Sequence, residues 1–438
     1  MVSSMGRTPV AAIARWATLT SIFVGIALIL SPAAVTVAAP AVSSDVFAPV
    51  RCPAPVPAPV MADIPWPQQR FDFAAVRQLS DGRGVTVAVV DSGVDAAGPQ
   101  LHGAVLAGAD LLAPGGTGRE DCTAHGTAVA SIIAARPVPG SGLRGLAPGT
   151  AILPVRVSER TDAGADARAD AGSIADLAAG IRFATTARPK PAVINLSIST
   201  GTDDPALRAA VRDAVAADIV VVAAVGNDHD RGDPRPYPAS YDGVVAVAAI
   251  GPDSLRVASS AVSSYVDIAA PGTQVIGAMP GGGQAAFEGT SFAAPFVAAT
   301  AALIRARWPQ LPQGEVVRRL LVTADPAPAG PHSPEYGYGL LNPLRALTEF
   351  VPGGAGTAAG ARSAVVGGIP ATRAMPARPG GPSATVLGVA AALAGLAAAV
   401  TLVAVTVPAG RRRRWRPPNR RIVPPPGSAS LGAYGEGR

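Results

Sequence analysis

The chain has 438 residues, 49% of them hydrophobic, and a formal net charge of +6. That length is ample for one large core. The two ends hold ten of the 36 basic residues and one of the 30 acidic ones, so residues 42–410 are net −3 and a nucleic-acid partner is excluded.

Residues 1–41 begin with Arg7 and Arg15, continue through the largely apolar Ala17–Leu30, and end in Ala39-Pro40-Ala41. A basic start, a short apolar middle and an Ala-x-Ala-like site predict a secretion signal peptide. Residues 42–80 form a Pro-rich N-terminal extension. Pro53, Pro55, Pro57, Pro59, Pro65 and Pro67 argue against helix or central strand there, which predicts an extended strap. The extension also shows no strand–helix alternation. The chain's two cysteines are Cys52, in this strap, and Cys122. Export permits oxidation, and a Cys52–Cys122 bond would pin the strap near His125. In the chain-entropy model that closure is worth about 4 kcal/mol. Neither Cys belongs to a Cys-x-x-Cys pair, and no metal or other cofactor is expected.

Residues 81–350 alternate β-branched runs with Ala-rich helical ones, the pattern of an α/β domain with a mostly parallel sheet. Val85–Val90 reads as a buried strand with Asp91 at its carboxyl end. His125 opens a helical run, Gly126–Ala135. Ile152–Val157 and Val193–Leu196 are further strands, separated by the polar insertion Glu159–Gly172. Ile219–Val225 is a strand that ends in Gly226-Asn227. Val244–Ala249 is another strand, and Ser291 opens the helix Phe292–Arg307. Residues 351–382 are a Gly/Pro linker, flexible enough to span about 30 Å. Ser383–Val407 is 25 residues without a charge, followed by Arg411–Arg414 and Arg416. This predicts one C-terminal transmembrane helix over 383–407, with 408–438 as a cytoplasmic Arg/Pro-rich tail and the 81–350 domain outside the cell membrane.

Three strings bear the chemistry. They are Val87-Ala88-Val89-Val90-Asp91-Ser92-Gly93, His125-Gly126-Thr127 and Gly289-Thr290-Ser291-Phe292-Ala293-Ala294-Pro295. A serine hydroxyl attacks only when a base takes its proton, and the base needs a carboxylate to fix its tautomer. Asp91, His125 and Ser291 supply those groups in the order Asp…His…Ser. Asn227, after a strand, is placed to donate to an oxyanion. Asp228-His229-Asp230 reads as a solvated rim loop, not a cation site.

In these motifs the chain resembles the subtilisin-like serine peptidases, over about Val85 to Leu347. The resemblance implies a three-layer α/β fold, Asp91, His125 and Ser291 as triad, and Asn227 as oxyanion donor. The layout of signal, Cys-tied extension, linker, single span and Arg tail resembles the mycosins, membrane-anchored members associated with type VII secretion. That implies protein substrates, processing of secreted proteins, and partnership with the secretion membrane complex. The alternatives are a scaffold stabilising that complex, or a generic anchored housekeeping protease. Ser197, Ile198, Ser199, Val225 and Gly226 correspond to substrate-binding positions. A side chain at Ser199, where subtilisins usually have Gly, is expected to narrow the primary pocket.

Overall fold

The computed structural model describes Cys52, residues 55–159 and residues 172–352. The signal peptide, the span over 383–407 and the tail lie outside the described residues, as do most of the insertion and nearly all of the linker. Among the described residues no helix is long and apolar enough to cross a membrane.

The strands are β1 (Thr86–Asp91), β2 (Ala109–Asp110), β3 (Ala151–Arg156), β4 (Val193–Leu196), β5 (Val220–Ala224), β6 (Val244–Ile250) and β7 (Ile268–Pro271). They form one sheet in the order β2-β3-β1-β4-β5-β6-β7, and every ladder in it is parallel. A hairpin, β8 (Val275–Ala278) with β9 (Gln284–Phe287), stands apart. Continuous apolar strands suit a parallel sheet because helices cover both faces. Side chains of β1 alternate accordingly. Val87 and Val89 enter a core with α3 (His125–Ala134) and α6 (Thr290–Arg307). Ala88 and Val90 enter a second core with α4 (Ile174–Thr186) and α5 (Pro205–Ala216). The result is three layers, helix–sheet–helix. Two further helices, α7 (Gln313–Val322) and α8 (Pro343–Thr348), close the α6 side. The sequence expectation missed β2, β7 and the hairpin. β2 has two residues, and β7 reads Ile-Ala-Ala-Pro, too Ala-rich and short to stand out.

The extension departs from an all-extended strap. Over 55–65 it is extended and bound edge-on to neighbouring loops: Ala58 N–H donates to Gly282 O (3.0 Å), while Pro59 O accepts from Gln284 N–H (2.9 Å). It then turns helical, as α1 (Trp66–Arg70) and α2 (Phe73–Leu79). Pro65 is the N-cap of α1 and Pro67 lies in its first turn. No intrahelical N–H bond is required at those positions, so proline is tolerated there. Asp72 caps α2 by accepting from Ala75 N–H (3.1 Å). Phe71, Phe73 and Val76 are buried in the α6-side core, with Phe71 edge-on to Phe296 at 5.8 Å. A disulfide joins Cys52 to Cys122.

Losing a native disulfide typically costs 2–5 kcal/mol. Cys52→Ala is expected to lower stability by about that amount in a denaturant melt, with a cooperative transition retained. An unchanged melt would mean that the packing of α1 and α2 alone holds the extension.

Candidate active site

Asp91 ends β1 and is fully buried. Its Oδ1 accepts from Ser92 N–H and lies 2.7 Å from His125 Nδ1. A carboxylate at that distance requires a proton on Nδ1, which leaves Nε2 as the basic nitrogen. His125 is the first residue of α3, and the helix enters against β1 with no room to spare. A Cβ on Gly126 would meet Gly93 O at 2.1 Å and Asp91 Cβ at 3.1 Å. Glycine is what lets the His125 backbone approach the strand end.

Ser291 sits in the first turn of α6 and is buried. Pro295, inside this helix, has no N–H to offer the Ser291 carbonyl four residues back. Ser197 Oγ takes that carbonyl instead, at 2.7 Å. In return Ser291 Oγ donates to Ser197 O at 3.0 Å, and Asn195 Nδ2 donates to Ser197 Oγ at 2.9 Å. The β4 end and the α6 start are thus clamped in both directions. The ring of Phe292 lies 5.2 Å from the His125 imidazole, so the starts of α3 and α6 converge on one place.

Asn227 follows β5. Its Oδ1 accepts Thr290 N–H at 2.9 Å, which turns the amide NH2 the other way. A Cβ on Gly289 would stand 3.1 Å from that Nδ2, and Gly289 has φ of +131°, a conformation that favours glycine. Beside Asn227 opens a cavity of about 420 Å³ whose lining includes Ser199, Gly226, Asp228, Arg231 and Ser291. A Cβ on Gly226 would stand 3.9 Å from Ser199 Oγ, and both residues line the cavity.

Asp91, His125, Ser291 and Asn227 gather at one edge of the sheet, with Ser197, Ser199 and Gly226 at the cavity. Ile198 and Val225 do not line it. Val225 is fully buried in the α4/α5 core, and Ile198 packs against the same core. Side chains along an extended run alternate faces, so with Ala224 and Gly226 at the cavity, Val225 points away. Asp228 pairs with Arg231 (3.0 Å) and His229 Nδ1 lies 3.0 Å from Asp233 Oδ2, so the rim loop is tied internally by one ion pair and one side-chain hydrogen bond. Sequence reasoning missed Asn195, Thr290, Pro295 and Asp121. Asp121 is almost wholly buried, and burial pushes its carboxyl above the usual range against the opposing hydrogen bonds of Thr127, Thr123 and Ser92.

The model of the subtilase family matches residues 82–339. Mycosin-1 of Mycobacterium tuberculosis (strain ATCC 25618 / H37Rv) is 33% identical over 343 residues, 68% of this chain and 76% of the relative. The chain belongs to the subtilase family, among the mycosins. Subtilisin NAT of Bacillus subtilis subsp. natto is 36% identical over 263 residues, 60% of this chain and 65% of that relative's own length. The structure of the serine protease MycP1, an essential component of the type VII (ESX-1) secretion system, superposes with a TM-score of 0.58 at 32% identity, covering 68% of this chain and 92% of that one.

Gly126→Ala forces a methyl group into Gly93 O of this subtilase. The expected outcome is a loss of about 1–3 kcal/mol in a thermal melt, the usual range for overpacking. A variant as stable as the parent would show that α3 can retreat from β1.

Proposed function

We propose that the chain is a serine endopeptidase of secreted proteins, acting outside the membrane in association with a type VII secretion complex. The observation that bears most weight is the buried Asp91–His125 hydrogen bond, 2.7 Å long, with Ser291 at the facing helix start. His125 Nε2 takes the Ser291 proton as Oγ attacks the scissile carbonyl, forming a tetrahedral intermediate. His125 then gives that proton to the leaving amine, and water repeats the sequence to free the acyl group. Asp91 holds the tautomer and stabilises the imidazolium. Asn227 Nδ2 and the Ser291 N–H receive the oxyanion. No cofactor enters this chemistry.

Ser199 narrows the pocket above Gly226, which favours a small side chain on the substrate residue before the cleaved bond. Substrate pairs by its backbone with the stretch after β4, as an added strand. In the same reading the extension over 42–80 is a permanent part of the domain, and Ser383–Val407 anchors it with the Arg tail in the cytoplasm.

A fluorophosphonate probe is expected to label the full chain on Ser291 and to leave Ser291→Ala unlabelled. Labelling of another serine would overturn the assignment. Asn227→Ala is expected to slow acylation by about 10²–10³, the magnitude known for the corresponding donor of subtilisin. Ser199→Gly is expected to raise kcat/KM for peptides with large aromatic residues before the cleaved bond, relative to alanine peptides. An unaltered ratio would place the specificity elsewhere.

A further inference from the structure

The loop that delivers His125 is strained and must be held by something other than α3. Ala124, immediately before His125, has φ of +69°, left-handed backbone for a residue with a Cβ. Such a conformation costs of order 1–3 kcal/mol and persists only where its surroundings enforce it. The N-cap Ala124 also offers no side-chain acceptor to the first turn of α3. Two devices reach this loop. One is the Cys52–Cys122 disulfide. The other is Asp121.

Asp121 carries six contacts from donors. Its Oδ1 accepts from Ser92 Oγ (2.9 Å), Thr123 N–H (3.0 Å), Thr123 Oγ1 (3.3 Å) and Ala124 N–H (3.0 Å). Its Oδ2 accepts from Thr127 N–H (2.8 Å) and Thr127 Oγ1 (2.6 Å). The carboxylate therefore grips the residues on both sides of His125 and supplies the cap that Ala124 lacks. Ser92 extends the grip to the triad strand. Its Oγ accepts Gly126 N–H at 2.9 Å while its own N–H binds Asp91 Oδ1 at 2.7 Å. A continuous chain of hydrogen bonds runs from Asp121 through Ser92 to Asp91, and His125 hangs between its ends. The disulfide reaches the same loop through Cys122 alone, from an extension already seated by α1 and α2.

We propose that Asp121 is the positioning residue of the catalytic His125, holding the imidazole to Asp91 through Ser92 and the Ala124 turn, and that the disulfide is dispensable for this. The proposal rests on the peptidase reading of the site, and it adds a residue that touches neither substrate nor reacting atoms.

The test is single-turnover labelling of the full chain with a fluorophosphonate, resolved into reversible affinity (Ki) and the rate of serine phosphonylation with loss of fluoride (kinact). The far-downfield proton resonance of the His125–Asp91 hydrogen bond is read alongside. Asp121→Asn is expected to lower kinact roughly 10- to 100-fold, the scale set by misplacing a catalytic group by about 1 Å, with Ki unchanged. The resonance should broaden or vanish. The double variant Cys52→Ser, Cys122→Ser is expected to label within about twofold of wild type, a difference under 0.5 kcal/mol. A folded Asp121→Asn chain with wild-type kinact and an intact resonance overturns the proposal. So does a disulfide-free chain as slow as Asp121→Asn. If Asp121→Asn does not fold, Ser92→Ala cuts the same link more gently, and a wild-type kinact there is equally contrary. A wild-type chain that takes no label fails the peptidase reading instead, while the resonance still decides whether Asp121 holds His125.

Discussion

The hydrogen bond from His125 to Asp91 is buried, 2.7 Å long, and joins two elements that would otherwise have no reason to meet at a point. An imidazole at the start of α3 reaches a carboxylate at the end of β1 only if the helix backbone lies almost against the strand. That requirement explains the run of small residues around it. Gly126 cannot carry a Cβ because Gly93 O is in the way, and a Cβ on Gly93 would meet Glu120 O at 1.9 Å. Ser92, between them, is small enough to bond Gly126 and Asp121 at once. The chemistry at the site is a consequence of how closely three pieces of backbone can be stacked.

The same logic governs the placement of Ser291. The parallel sheet brings the ends of β1, β4 and β5 to one edge, where ligands meet open α/β sheets. Helix α6 crosses that edge with its positive N-terminal end, a favourable place for an oxyanion. Pro295 breaks one helical hydrogen bond, and the freed Ser291 carbonyl becomes the anchor for Ser197. Around this edge the protein is tied down repeatedly. Arg156, nearly fully buried and opposite Asp91 in the β1–β3 register, is paired with Asp110 and Glu159 and donates to Cys122 Sγ. Breaking one member of a buried pair leaves an uncompensated charge, so such a cluster favours a single arrangement.

Much of this was legible in the sequence because the relevant signals are local. β-Branched runs marked β1, β3, β4, β5 and β6 to within a residue or two, with Asp91 and Asn227 at the ends of two of them and His125 and Ser291 at the starts of helical runs. What stayed hidden depended on contacts distant in sequence or on direction. Val225 neighbours Gly226 in sequence, but alternation sends its side chain into the opposite core. Pro65 and Pro67 argued against helix, but the N-cap and the first turn of α1 tolerate them. Asp121 carries no signal in Glu120-Asp121-Cys122-Thr123, because nothing local says that Ser92, 29 residues earlier, will bond to it. Pro295 lies inside the expected helix Phe292–Arg307, and nothing local shows that it frees a carbonyl for Ser197.

The central claim is that Ser291 and Asn227 face one reacting carbon while His125 stands behind the nucleophile. A crystal structure of the full chain bound to a peptide boronic acid with alanine next to boron tests this most directly, since tetrahedral boron mimics the attacked carbon. The account predicts a bond from boron to Ser291 Oγ, one boronate oxygen within hydrogen-bond distance of Asn227 Nδ2 and the Ser291 N–H, and the alanine methyl between Ser199 and Gly226. Boron bonded to another side chain, or its oxygens turned away from Asn227, would contradict it.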